Sequence, residues 1–178
     1  STQIIAQIKN VRVPFNVDIG VGDIIVPRAE ERTINTQLPD FEAPVIKTYS
    51  LESTIAEKFD AILQRFELTG RMKDFYDIYY LSRTFDFEGE KLQAAIFETL
   101  QRRGTPYDRD SFKRVVALAD DEDMQKRWKF FLKTIKDNTL EFSFVITEIQ
   151  TFLEPVFDVI VNEKEWQNIW DTKVKGWR

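Results

Sequence analysis

A chain of 178 residues suits one domain or two small ones, and at 43% hydrophobic with 15 Phe it can bury a core built on aromatic packing. It contains no Cys and no His, which excludes disulfides, thiolate metal sites, a Ser-His-Asp hydrolase, a His-based nuclease and a zinc–His site made from these residues alone. Catalysis, if any, falls to Asp, Glu, Lys, Arg, Tyr or a metal held by oxygen ligands, and at a net charge of -5 a nucleic-acid partner would need a local basic patch. No apolar run approaches the ~20 residues of a membrane span and no signal peptide is visible, so a soluble, cytoplasmic chain is expected.

The first residues, Ser1 to Ala6, read as a strand. From Val11 to Ile19 the alternation is strict: Val11, Val13, Phe15, Val17 and Ile19 are apolar, and Arg12, Pro14, Asn16 and Asp18 take the other face. That period of two predicts a half-buried strand, with Pro14 at an edge or bulge. Gly20 and Gly22 predict a turn with Asp23, and Ile24-Ile25-Val26 a second short strand. Residues 27–43 read as a loop and Pro44 to Tyr49 as a third, weaker strand.

Beyond Tyr49 the period becomes helical. Ser50 is a good N-cap, and Leu51, Ile55, Phe59, Ile62, Leu63 and Phe66 form one apolar stripe that ends at Thr69-Gly70. A second helix is predicted from about Lys73 to Arg83. Others follow near 89–103, 109–119, 122–136 and 140–162, the last bent by Pro155, with a short helix at Trp166, Ile169 and Trp170. The predicted division is a β-containing piece, 1–49, and a helical domain, 50–178.

Three segments carry candidate chemistry: Phe15-Asn16-Val17-Asp18-Ile19-Gly20-Val21-Gly22-Asp23, Tyr49 to Ala61, and Arg71-Met72-Lys73-Asp74-Phe75-Tyr76-Asp77-Ile78-Tyr79. Each has an ordinary reading. Asp18 is a surface acid before a glycine turn, or a carboxylate on rigid sheet aimed at a metal ion. Lys58 is a snorkelling lysine beside the apolar stripe, or an ammonium on phosphate oxygens. Asp74 stabilises a helix N-terminus, a sufficient role for one acid. That role explains less well why Arg71, Lys73, Asp74 and Asp77 gather within seven residues, a density that suggests a network at a cleft.

In order and wording the segments resemble the AbiEii/AbiGii family of nucleotidyltransferase toxins, in which D-I-G-x-G-D is followed by Y-S-x-E-x-x-x-A-E-K and R-x-K-D-x-x-D. The resemblance covers residues 15–83 well, and the later helices only in kind. It implies an α+β fold: a partial polymerase-β-like nucleotidyltransferase sheet of about three strands, then a mostly helical domain. It also implies transfer of a nucleotide from a nucleoside triphosphate (GTP or a pyrimidine triphosphate in family members) to an acceptor such as tRNA. Mg2+ would be the cofactor and a cognate antitoxin the partner. Carried over, Asp18, Lys58 and Asp74 are the catalytic residues, with Asp18 on the metal side. Lys58, Lys73 and Asp77 bind the nucleotide. The family's first motif, a G-S turn before a D-x-D pair, is not found ahead of Asp18. Because two-metal transfer needs several carboxylates, the chain is expected either to lack that N-terminal segment or to be a degenerate relative; the first is favoured, giving a chain inactive alone from an enzymatic parent.

On the predicted 122–136 helix, Lys126, Lys129, Lys133 and Lys136 share one face, opposite Trp128, Phe131, Leu132 and Ile135. Such a stripe is ordinarily solvated surface. In an acidic protein with an RNA substrate it is also the best candidate patch, with Lys126, Lys129 and Lys133 as the RNA contacts. The rival from another class is a non-catalytic module that docks an antitoxin or another protein.

Overall fold

The computed structural model describes residues 1–19, 25, 28–137 and 139–178, and only the backbone of Glu67. Strands β1 (Thr2–Ile8) and β2 (Val11–Val17) form an antiparallel hairpin in which Ile4 faces Phe15 and Ile8 faces Val11. Lys9 turns the chain in the left-handed region, at φ 53°. The alternation in β2 is real, but the strand is not half-buried as expected: Val13 is 52% and Phe15 44% exposed. Pairing with β1 satisfies the backbone, while Ile4, Ala6, Ile8, Val11, Val13 and Phe15 line one face that stays open to solvent. The strand also stops at Val17, before Asp18. The expected Gly20/Gly22/Asp23 turn and most of the Ile24–Val26 strand lie outside the described residues.

The stretch 27–43, expected to be loop throughout, contains a strand. β3 (Glu30–Thr33) pairs antiparallel with β4 (Val45–Thr48), Glu30 opposite Thr48 and Thr33 opposite Val45. The sequence Glu-Glu-Arg-Thr has no apolar alternation, so only the partner strand makes it a strand. Among the described residues the strands form three separate antiparallel sheets of two, two and three strands.

The rest is predominantly helical: α1 (Leu51–Arg65), α2 (Met72–Thr84), α3 (Gly89–Arg103), α4 (Ser111–Ala117), α5 (Glu122–Ile135) and α6 (Phe142–Val161). Their order and bounds follow the apolar periodicity closely. α6 is the central element, burying Phe142, Val145, Ile149, Phe152, Val156 and Phe157 against α2, α3 and α4. It continues through Pro155 to Val161. The aromatic packing foreseen from composition is here: the Phe157 ring lies 5.7 Å from both Phe59 and Phe112. No helix among the described residues is long and apolar enough to cross a membrane.

The helix expected at Trp166, Ile169 and Trp170 does not form: 166–168 are irregular and a strand begins at Ile169. β6 (Ile169–Asp171) lies between β5 (Phe87–Glu88) and β7 (Gly176–Trp177). Long-range contacts override the helical spacing. The Trp170 indole N–H donates to the Ser82 carbonyl at 2.6 Å, and the Trp177 ring stacks on Phe152, with centroids 5.8 Å apart.

Candidate functional site: a lysine between two carboxylates

α1 is fixed at its start by Ser50, whose Oγ accepts from the Ser53 backbone N–H at 3.0 Å. Ile55, Ala56, Phe59, Ile62 and Leu63 are buried, which carries Lys58 to the rim of the same helix, with its side chain 19% exposed. α2 begins after Thr69-Gly70-Arg71. Thr69 Oγ1 accepts from Arg71 N–H at 3.1 Å, and the Thr69 carbonyl accepts from Arg127 Nη1 at 2.9 Å. The first turn of α2 therefore sits where Asp74, almost wholly buried, meets Lys58.

Lys58 Nζ is 3.2 Å from Asp74 Oδ1 and 2.6 Å from Asp77 Oδ2. Lys73 Nζ reaches the same Asp77 oxygen at 2.6 Å. Arg71 Nε is 2.8 Å from Asp74 Oδ2, close enough for an ion pair but outside hydrogen-bonding geometry, so that buried oxygen has no hydrogen-bond partner in the structure. Three cations thus surround two carboxylates. Desolvation of such charges is tolerable only because each is matched by an opposite charge at contact distance.

Lys58 and Arg71 of this cluster form a wall shared by two cavities. One, of about 390 Å³, is lined by Tyr49, Glu57, Lys58, Asp60, Arg71 and Arg103 among others. The other, of about 800 Å³, lies between α2 and α5 and is lined by Lys58, Arg71, Asp74, Lys126, Arg127 and Phe130 among others. In the first, Asp60 is 2% exposed and accepts from Thr105 Oγ1 and from Gln64 Nε2, the latter at 3.0 Å, with Arg103 Nε 3.6 Å away. Burial pushes its carboxyl above the usual carboxylate value, against the opposing pull of Thr105, Arg103 and Gln64. Glu57, adjacent in sequence to Lys58, is paired with Arg103 instead.

Of the residues picked from sequence, the fold brings Lys58, Lys73, Asp74 and Asp77 together, and Lys126 reaches the larger cavity beside them. Asp18 is apart from this group. Its carboxylate is 84% exposed, lies 3.7 Å from the Ser1 amino group, and lines neither cavity. Lys129 and Lys133 are exposed on α5 and also line neither. Sequence reading missed Arg103, Arg127 and Phe130 as cavity residues. All three come from helices distant in sequence from the motifs, and no local pattern marked them.

The chemistry implied for the segments calls for a divalent cation. Among the described residues no three acidic side chains converge in a way that could hold one, and Asp74 and Asp77 are already matched by ammonium and guanidinium groups. Asp18 stands alone. The described residues therefore do not by themselves fit a metal site.

The α1–α2 junction of the helical body thus gathers residues of the second and third motif segments beside two cavities, the smaller lined mostly by polar groups and the larger mostly by apolar ones. A family model, nucleotidyl transferase AbiEii toxin of the Type IV TA system, matches residues 1–167, and the chain belongs to that family. No curated protein and no solved structure matches it.

Proposed function

We propose that this chain serves nucleotidyl transfer from a nucleoside triphosphate to an acceptor, with tRNA the acceptor class and a cognate antitoxin its counterpart. The observation that carries the reading is Lys58, held between Asp74 and Asp77 at the wall common to two cavities. It is a fixed positive charge where a triphosphate and an acceptor could meet. In this reading the acceptor hydroxyl oxygen bonds to the α-phosphorus and gives up its proton to solvent, the bond to the bridging oxygen breaks, and pyrophosphate leaves. Lys58 offsets charge on the phosphates. Asp74 and Asp77 hold its ammonium in place, and the mostly exposed Lys73 provides a second cation at the mouth.

The same reading divides the chain at residue 50. The strands of 1–49 contribute to a polymerase-β-like sheet, and 50–178 form the helical domain that carries the later motifs. The open apolar face of the β1–β2 hairpin supports this, because such a face suits packing against further sheet or helix. Asp18 then belongs to the sheet side of the site.

The experiment is label transfer from each of the four nucleoside triphosphates to bulk tRNA, run with the native full-length protein. Lys58→Ala and Asp74→Ala are expected to lower transfer by about 10²-fold or more, the scale for removing a positioned electrostatic group. Wild-type rates in both variants would sink the assignment.

A further inference from the structure

The larger cavity holds a feature that neither the motifs nor the family assignment explains. Phe130 is 72% exposed on α5 although that helix has an apolar face committed to the core through Met124, Trp128 and Leu132. It stands at the cavity wall with Lys126 and Arg127 on its own helix, and with Lys58, Arg71 and Lys73 on the facing elements. Five cations line this space with Asp74; Lys58 and Lys73 are also ion-paired to Asp77 behind the wall, and Arg127 Nη1 donates to the Thr69 carbonyl at 2.9 Å, so cations still outnumber carboxylates in a chain whose net charge is -5. Lys126 is itself 70% exposed, and its partners Glu122 and Asp123 are exposed acids one turn away on α5. Such surface pairs exchange readily with another anion.

We propose that this α2–α5 cleft binds the single-stranded end of a nucleic-acid acceptor, with a base stacked on Phe130 and flanking phosphates on Lys126 and Arg127. A solvent-exposed ring between cations is the arrangement by which proteins hold single strands without reading sequence, because every base offers a flat face. A free triphosphate concentrates its charge at one point. Here the cations are spread along both walls, on α5 and on the start of α2, which matches successive phosphates of a strand. A strand lying there would bring its end to Lys58, which with Arg71 also lines the smaller cavity. The identity of the strand as acceptor rests on the nucleotidyltransferase reading; the binding itself does not. The lysine stripe read from sequence is narrowed to Lys126, while Phe130 and Arg127 are added.

The test is fluorescence anisotropy of a short labelled single-stranded RNA against the full chain, with nucleoside triphosphate binding measured in parallel. Phe130→Ala should weaken RNA binding roughly five- to hundredfold, the range for losing one stacked base, and Phe130→Trp should restore it. Lys126→Gln should flatten the salt dependence by roughly 0.7 in log–log slope, as expected for one lost phosphate contact to a single strand. Phe97→Ala, which removes another exposed Phe outside the cleft, should leave RNA affinity unchanged. Triphosphate affinity should be equal in wild type and Phe130→Ala. If wild type binds no RNA, or if Phe130→Ala binds as tightly as wild type, the cleft is not a strand site and the exposed ring is left for a protein contact. A wild type that binds RNA but no triphosphate would sink the transferase reading and leave this one standing.

Discussion

Lys58 Nζ on α1 lies 3.2 Å from Asp74 Oδ1 on α2, so one charge both ties two helices together and faces two cavities. The pair has a structural consequence separate from any activity. Lys58→Met leaves Asp74 buried with Arg71 as its remaining cation. Loss of stability of about 2–3 kcal/mol is expected, below the ~3–5 of a fully buried pair because Lys58 and Asp77 keep some solvent contact. Asp74→Asn should cost a similar amount, and the double variant less than the two added together. Urea unfolding of all four proteins measures the coupling; strict additivity would show that the two side chains do not share an interaction.

Asp60 makes stability depend on pH with a defined sign. Burial raises its folded value above 3.8, the value it has when exposed. Below 3.8 both folded and unfolded chains hold the proton. As pH climbs, the unfolded chain releases it first, so stability falls until pH passes the folded value and then levels off. Relative to Asp60→Asn, which has no proton to lose, the wild type should lose stability over that window. Unfolding free energies of both proteins from pH 3.5 to 7 check this, and a difference that grows in favour of wild type with rising pH would contradict it.

Two glycines should respond differently to alanine. Gly89 opens α3 against the C-terminal segment, its N–H donating to the Asn168 carbonyl at 2.8 Å. A Cβ there would lie 2.2 Å from Trp166 Cδ1 and 2.5 Å from the Asn168 oxygen. The backbone oxygen cannot swing aside, so Gly89→Ala is expected to cost about 2–3 kcal/mol through overpacking. Gly104 caps α3 at φ 63° with nothing within 4 Å of a Cβ, so Gly104→Ala should cost only about 1 kcal/mol, from backbone strain alone. Thermal denaturation of both variants should reproduce that order.

The β1–β2 hairpin should be energetically separable from the helical body. Ile4 and Phe15 face each other on it, 42% and 44% exposed. Replacing both with Thr is expected to change unfolding free energy by less than about 0.5 kcal/mol, as for surface positions. It should also reduce binding of a hydrophobic dye, since the open apolar face is lost. A change of several kcal/mol would mean that the hairpin folds cooperatively with the helices.

The sequence by itself determined the helical body. Apolar residues at helical spacing define α1 to α6, because a helix must bury one stripe and the stripe is written locally; Ser50 marks the start of α1 by the hydrogen bond its hydroxyl accepts from Ser53 N–H. The residues of the second and third motifs were legible for the same reason, each being a short contiguous segment. What only the tertiary structure decided lies between segments. β3 is a strand because β4 offers it hydrogen bonds, and nothing in Glu30–Thr33 announces that. Trp166 to Trp170 carry helical spacing, yet Trp170 and Trp177 find Ser82 and Phe152 far back in the chain, and that burial outweighs local preference. Lys58 meets Asp74 and Asp77 only when α1 packs on α2, and Phe130 and Arg127 reach the cavity only when α5 lies beside α2. Periodicity fixes which face of each helix is buried, but the choice of partner helix depends on shape and charge complementarity over the whole body, and that choice assembles the site.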